Sequence, residues 1–321
     1  MSIRLVIAAI LAWTLTTGAA FADSYPSKPI KWVIPYPPGG GVDAVGRMVG
    51  EKLSEILGVP FVVTHLPGGN GIVGADAVKR APTDGYTLMF NASVFIMGPQ
   101  VMKSVPYDPI NDFSAIAQIG DVPLLVISNP RIQAANLGEL STQIKAAPEK
   151  FNVAISAPGA AGHLGTLSFL HQVGTKVELI PYRGTGLGLT DVISGNVQLM
   201  VEGMTILLPQ VKAGRVRAYA VTSRQRSTLA PEIPTTAEAG MPNLVLSSWY
   251  GVWGPPGLPA EVTRRIADAV ETASKAPDLI GRLEGLGLTT TFMKGTEFQK
   301  FVKDEAEAGK TLLRNAGFEP Q

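Results

Sequence analysis

The chain contains no cysteine. That excludes disulfides, thiolate metal sites, thiol nucleophiles and a lipid-modified cysteine anchor. Histidine occurs at only three positions, His65, His163 and His171. None is paired at i, i+4 with a glutamate, so a zinc site is not expected. Charge is scarce as well. Charged residues make up 17% of the chain and the formal net charge is +1, which argues against a nucleic-acid-binding surface. No G-x-x-x-x-G-K-[ST] loop and no G-x-S-x-G elbow occurs. Gly184, Gly186 and Gly188 are spaced G-x-G-x-G, not G-x-G-x-x-G. The end of the second strand carries Thr64 and His65 where a dinucleotide site needs an acid. No cofactor is therefore expected. What the chain does have is 321 residues with 45% hydrophobic content, enough for two lobes with their own cores.

The N-terminus reads as a secretory signal. Arg4 supplies positive charge, Leu5 to Leu15 form a short apolar core, and Ala20-Phe21-Ala22 fits a small-x-small cleavage site. The mature chain is expected to begin at Asp23, in the periplasm. Cleavage removes one basic residue and no acidic one, leaving a near-neutral product. The alternative is a membrane anchor, but the run is short for a span of ~20 residues. No later segment is long and apolar enough to cross a bilayer.

Downstream, apolar runs alternate with helical periodicity. Ile30 to Ile34, Phe61 to Thr64 and Tyr86 to Phe90 read as strands. Between them Val42, Val45, Val49, Leu53 and Ile56 recur at helical spacing, and Gly58 can end that helix. Phe113 to Ile127 reads as a crossing into a second lobe. There Asn136 to Glu139 form a capping box, and strands are expected at Val153 to Ile155, Val177 to Ile180, Val197 to Val201 and Arg217 to Val221. Val245 to Trp253 is a strand that can return to the first lobe. Helices from Pro259, from Asp278 and one capped by Thr296 close the chain. This pattern gives an α/β fold of mostly parallel sheets flanked by helices. The expected division is residues 25–118 plus 247–321 for one lobe and 119–246 for the other.

Three loops rich in small residues follow strands: Tyr36 to Asp43, Pro67 to Gly71, and Ser156 to Gly162. Ligands in such sheets bind beyond the carboxyl ends of strands, and a helix N-terminus with bare glycines attracts an anion. Gly39, Gly40 and Gly41 are the strongest candidates. The competing reading is a plain strand-to-helix turn. Asp43, in the first helical turn, either accepts a hydrogen bond from a ligand amine or water, or fixes the loop. Loop fixing is favoured, since a bare carboxylate would repel an anion. Ser156 and His163 lie close in sequence without a third catalytic partner, and a capping serine is the simpler role. His163 either touches a ligand or caps its helix. Tyr36, Trp249 and Tyr250 could wall a ligand, with Tyr36 the best placed.

These motifs, taken in order, resemble the solute receptors of tripartite tricarboxylate transporters, the Bug-type receptors. The resemblance rests on Pro37 to Asp43 followed by Arg47, on Pro67 to Ala75, and on Asp84 to Leu88. It continues through Pro181 to Gly184, Thr190-Asp191, Ala220 to Ser223, Pro234-Thr235 with Glu238 to Gly240, and Trp249 to Gly251. It implies a type II periplasmic binding protein fold with a hinge. It further implies capture of a small organic acid, largely by main-chain amides and ordered water, and delivery to an inner-membrane transporter. Mono- and dicarboxylates, aromatic acids and amino acids are the candidate ligands, and the protein is expected to be a monomer and not an enzyme. A sensor docking on a membrane histidine kinase and a secreted hydrolase are the alternatives. Three positions depart from the family: Ala160-Ala161 replace Gly-Thr, Leu187 replaces Pro, and His65-Leu66 replace Asn-Arg. The expected ligand-binding residues are Tyr36, Gly39, Gly40, Gly41, Asp43, Asn70, Gly71, Ser93, Ser156, Gly159, Ala160, Ala161, His163, Tyr182 and Gly184.

Overall fold

The computed structural model describes residues 25–320. The expected signal segment and the expected start at Asp23 lie outside the described residues. The first half runs β1 (Ile30–Ile34), α1 (Gly41–Leu57), β2 (Phe61–His65), α2 (Ile72–Lys79), β3 (Thr87–Ala92) and a short α3 (Gly98–Val101). β1 pairs in parallel with both β2 and β3, as the strand–helix alternation requires. α1 forms because Val45, Val49, Leu53 and Leu57 recur on one face, and all four are buried. It stops at Gly58, whose φ of 72° only glycine adopts readily, and whose N–H bonds Ser54 O at 3.0 Å. Packing beneath α1 is close. A Cβ on Gly46 would stand 2.8 Å from the Phe90 ring, and Trp32 Nε1 donates to Gly46 O at 2.9 Å. Truncating a core side chain such as Leu53 to alanine would cost about 2–5 kcal/mol.

β4 (Ser114–Ser128) leads into the second half. There follow α4 (Leu137–Ala146), β5 (Asn152–Ile155), α5 (Ala161–Val173), β6 (Glu178–Pro181), α6 (Thr185–Ser194), β7 (Leu199–Gly203), α7 (Met204–Lys212) and β8 (Arg217–Val221). β5 pairs in parallel with β6 and β7. α4 starts where the capping signal placed it: Asn136 Oδ1 accepts from Glu139 N–H at 2.9 Å. The Glu139 carboxylate returns one residue further than a standard box, accepting from Ala135 N–H at 2.8 Å.

The chain then returns through β9 (Ser247–Gly254), α8 (Ala260–Ser274), α9 (Pro277–Glu284), β10 (Thr289–Lys294) and α10 (Gly295–Asn315). The strand order is β2-β1-β3-β9-β4-β7-β5-β6, with β8 and β10 also on β4. β4 carries two roles along one length. Ser114 to Pro123 pair antiparallel with β9, and Leu124 to Ser128 pair with β7 and β8. Thr222, fully buried, ties this crossing to the return path: its hydroxyl accepts from Leu124 N–H at 2.8 Å and donates to Leu246 O. The result is a two-lobed α/β protein whose lobes meet at β4 and β9.

Two expectations need correction. Thr296 does not cap α10. The helix begins at Gly295, with Lys294 in the extended cap position, because Gly295 takes φ 58° and turns the chain one residue earlier. The expected helix start near His163 lies at Ala161. In addition, α7 and β10 had no counterpart in the sequence reading.

Candidate functional site

A cavity of about 540 Å³ lies between the two halves, at the carboxyl ends of strands from both. On one side its wall is Tyr36 to Asp43, the loop from β1 into α1. On the other it is Ser156, Ala157, Ala160 and Ala161, the loop from β5 into α5, with Arg183 to Leu187 and Thr190 around α6. Three helix N-termini, those of α1, α5 and α6, therefore open on one space. Each has N–H groups without intrahelical acceptors and a positive dipole end.

The first loop is fixed from within. Asp43 Oδ2 accepts from Gly39 N–H at 2.9 Å, while Oδ1 bonds Arg47 Nε and His65 Nε2, each at 2.7 Å. Burial works to raise the Asp43 pKa, but the Gly39 N–H, His65 and Arg47 outweigh it and hold the carboxyl below its ordinary value. Asp43 is thus ionised and occupied by the loop. The Gly39 amide is occupied too, so the main-chain donors open to a ligand begin at Gly40. Gly40 has φ −90°, and a Cβ there would meet nothing within 4 Å. Its lack of a side chain leaves room over the helix end and serves no backbone need. Gly41 is different: a Cβ there would stand 2.8 Å from the Tyr250 hydroxyl.

The second loop repeats the plan. Gly159 N–H donates to His163 Nδ1 at 3.0 Å, and Ala160 caps α5 in extended conformation. The His163 ring is fully buried and packs edge-on against Phe318 at 5.0 Å. Burial lowers its pKa to about 4, so it is neutral near pH 7.

Of the expected ligand residues, the structure brings Tyr36, Gly39, Gly40, Gly41, Asp43, Ser156, Ala160, Ala161 and Gly184 to the cavity wall. Asn70, Gly71, Ser93, Gly159, His163 and Tyr182 do not line the cavity. Asn70 Nδ2 donates to Pro158 O at 2.9 Å, linking the two halves beside the cavity. Gly71 leaves room for Tyr36, whose hydroxyl would stand 2.9 Å from a Cβ there. Tyr182 donates to Asp191 Oδ2 at 2.6 Å. Trp249 is core, donating to Glu305 Oε2 at 3.2 Å, whereas Tyr250 lines the cavity and stacks on Phe90.

The wall also includes residues that were not expected, among them Val94, Arg183, Glu202 and Ser248. Glu202 is only 9% exposed. Burial raises its carboxyl pKa, partly opposed by Ser156, the Gly203 N–H and Thr185. Its place at the carboxyl end of β7 is the signal that could have found it. A second cavity of about 780 Å³ opens beside the crossing strands, between Thr222 to Leu229 and Gly287 to Thr289, but it presents no helix N-terminus.

Comparison with known proteins agrees with the two-lobed fold. The profile of the Tripartite tricarboxylate transporter family receptor matches residues 45–318. Protein BugT of Bordetella pertussis is 32% identical over 322 residues, covering 99% of each chain. Among solved structures, the periplasmic binding protein BugD superposes with a TM-score of 0.87 at 30% identity, covering 92% of this chain and 100% of that one. An R. palustris protein solved with adipate superposes with a TM-score of 0.89 at 28% identity, again over 92% and 100%. The chain belongs to the tripartite tricarboxylate transporter receptor family.

Proposed function

We propose that the protein is a periplasmic receptor that closes its two lobes around a small carboxylate and presents it to a tripartite membrane transporter. The observation that carries this reading is the cavity walled by the amino ends of α1 and α5, with open main chain at Gly40. A carboxylate there meets aligned N–H groups in place of water, and no side-chain cation is required. The adipate bound by the R. palustris relative supports a short-chain acid as ligand. The lobes are 25–118 with 247–321, and 119–246, hinged where β4 and β9 cross. The mature protein begins at Asp23 and acts as a monomer.

Calorimetry of the exported protein against mono- and dicarboxylates, adipate included, tests the reading. Saturable binding of one acid is expected, together with a smaller radius of gyration by X-ray scattering, since a ligand bridging both lobes favours the closed form. No binding of any acid at millimolar concentration would contradict it.

A further inference from the structure

The lock on the second loop is covered from outside the cleft. The His163 ring is fully buried, and its Nδ1 accepts the Gly159 N–H at 3.0 Å. Nε2 is shielded from solvent and has no hydrogen-bond partner among the described residues. Burial alone lowers the pKa of the ring to about 4. Nδ1 has a single lone pair, and Gly159 uses it. Water or a proton at that nitrogen would compete with Gly159, so the lock holds only while both are kept away.

Part of the cover is Phe318. Its ring centre stands 5.0 Å from that of the imidazole, with the planes at 67°. It reaches this place along α10, which lies against α5. A Cβ on Gly309 would stand 2.6 Å from Met97 Sδ and 3.6 Å from Leu164 Cδ1. Leu164, the neighbour of His163, and Leu313 of α10 belong to one core cluster. After α10 the chain turns: Gly317 N–H donates to Arg314 O and Phe318 N–H to Leu313 O, each at 3.0 Å. That turn brings Phe318 back onto α5. Phe318 itself is only half-buried and borders a cavity of about 530 Å³ with Leu167, Leu170 and Leu179. It is a cover with space beside it, not a filled core position. On the lobe division given above, Phe318 belongs to one lobe and His163 to the other.

We propose that Phe318 is a positioning residue of the cleft: its ring keeps water from His163 and so holds the turn at Gly159 and Ala160 that opens α5 on the ligand. The second loop is thereby held from the opposite lobe, by a side chain that does not line the cavity. This role rests on the carboxylate reading above, but its test uses no ligand, so the two can fail separately.

The test is NMR titration of the imidazoles in the exported protein, with hydrogen exchange at the Gly159 amide. Only His65, His163 and His171 contribute imidazole signals. In Phe318→Ala the His163 midpoint should rise by about one pH unit or more, and Gly159 should exchange about ten-fold faster. His65, bonded to Asp43 in the first loop, should titrate as in wild type. Phe318→Tyr, which keeps the ring, should restore both readings. Phe301→Ala is the control. It removes another half-buried ring of α10, one centred 5.1 Å from Trp249. It should lower Tm and leave His163 and Gly159 as they are. If Phe318→Ala changes neither reading, or if Phe301→Ala shifts them as far, the inference is overturned.

Discussion

Gly39 and Gly159 hold the same place in two different loops. Each follows a proline, takes a positive φ (91° and 78°), and donates its N–H to the side chain four residues on. The helix begins two residues after each glycine, at Gly41 and at Ala161. Only the accepting group differs. Asp43 locks its loop with an ionised carboxylate tied to two basic side chains. His163 locks its loop with a neutral, fully buried ring nitrogen. One local geometry has been reached with two chemistries, each suited to its surroundings. Arg47 offsets the charge of Asp43 and His65 hydrogen-bonds it at the first helix end, whereas Glu202 stands at the second.

The largest effect should come from Gly40→Val. The φ of −90° suits an L-residue and a Cβ has open space, so the fold should be kept. The branched side chain would instead occupy the ligand's approach to the main chain. Affinity should fall ~100-fold, on the order of 3 kcal/mol. Unfolding without ligand should barely change, while the ligand-induced rise in Tm is lost. Wild-type affinity in this variant would remove the first loop from the site.

Acid should separate the two locks. The His163 pKa is lowered from 6.5 to about 4 in the folded protein. The unfolded chain therefore takes up this proton first. The stability that neutral His163 contributes is complete above about pH 6.5 and is lost as pH falls towards about 4, amounting to about 2–3 kcal/mol. Denaturant unfolding of wild type and His163→Asn across that window checks it. The asparagine, which does not titrate, should lose less stability; parallel loss in both proteins would assign the acid sensitivity elsewhere.

Asp43→Asn keeps the shape of the first lock and removes its charge. The hydrogen bonds to Arg47 and His65 weaken, and about 1–2 kcal/mol of stability should go with them. Binding should weaken several-fold, but less than in Gly40→Val. A variant that binds more tightly than wild type would show that Asp43 repels the ligand more than it orders the loop. The smallest effect is expected for Asn70→Ala, which loses one bond to Pro158 O beside the cavity. That costs about 0.5–1.5 kcal/mol. The loss should appear in the ligand-bound, closed protein; an equal loss in the ligand-free protein would place the bond in the open form as well.

Much of this was legible in the sequence. The helical recurrence from Val42 to Ile56, the Gly58 stop and the Asn136 cap are local signals, and the structure follows them, with Leu57 buried where Ile56 was expected. So do the two cleft loops, because a strand end, a glycine and a helix start are adjacent in the chain. Loop fixing by Asp43 followed from the electrostatic argument alone. What escaped depended on distance along the chain. β10 is half-exposed, and only its antiparallel pairing with β4 makes it a strand. Glu202 follows the expected strand Val197 to Val201, but only the pairing of β7 with β4 and β5 brings that strand end to the cavity. Asn70, His163 and Tyr182 belong to the right motifs, but their side chains turn to Pro158, Gly159 and Asp191 instead of the cavity.

The central claim is that a carboxylate is held by the open main chain where α1 begins. A crystal structure with the acid that binds most tightly in calorimetry tests it directly. The account predicts a carboxylate oxygen about 3 Å from main-chain nitrogens between Gly40 and Val42, with the rest of the ligand reaching towards α5. A carboxylate paired instead with the Arg183 side chain, or seated in the cavity beside Thr222 to Leu229, would contradict it.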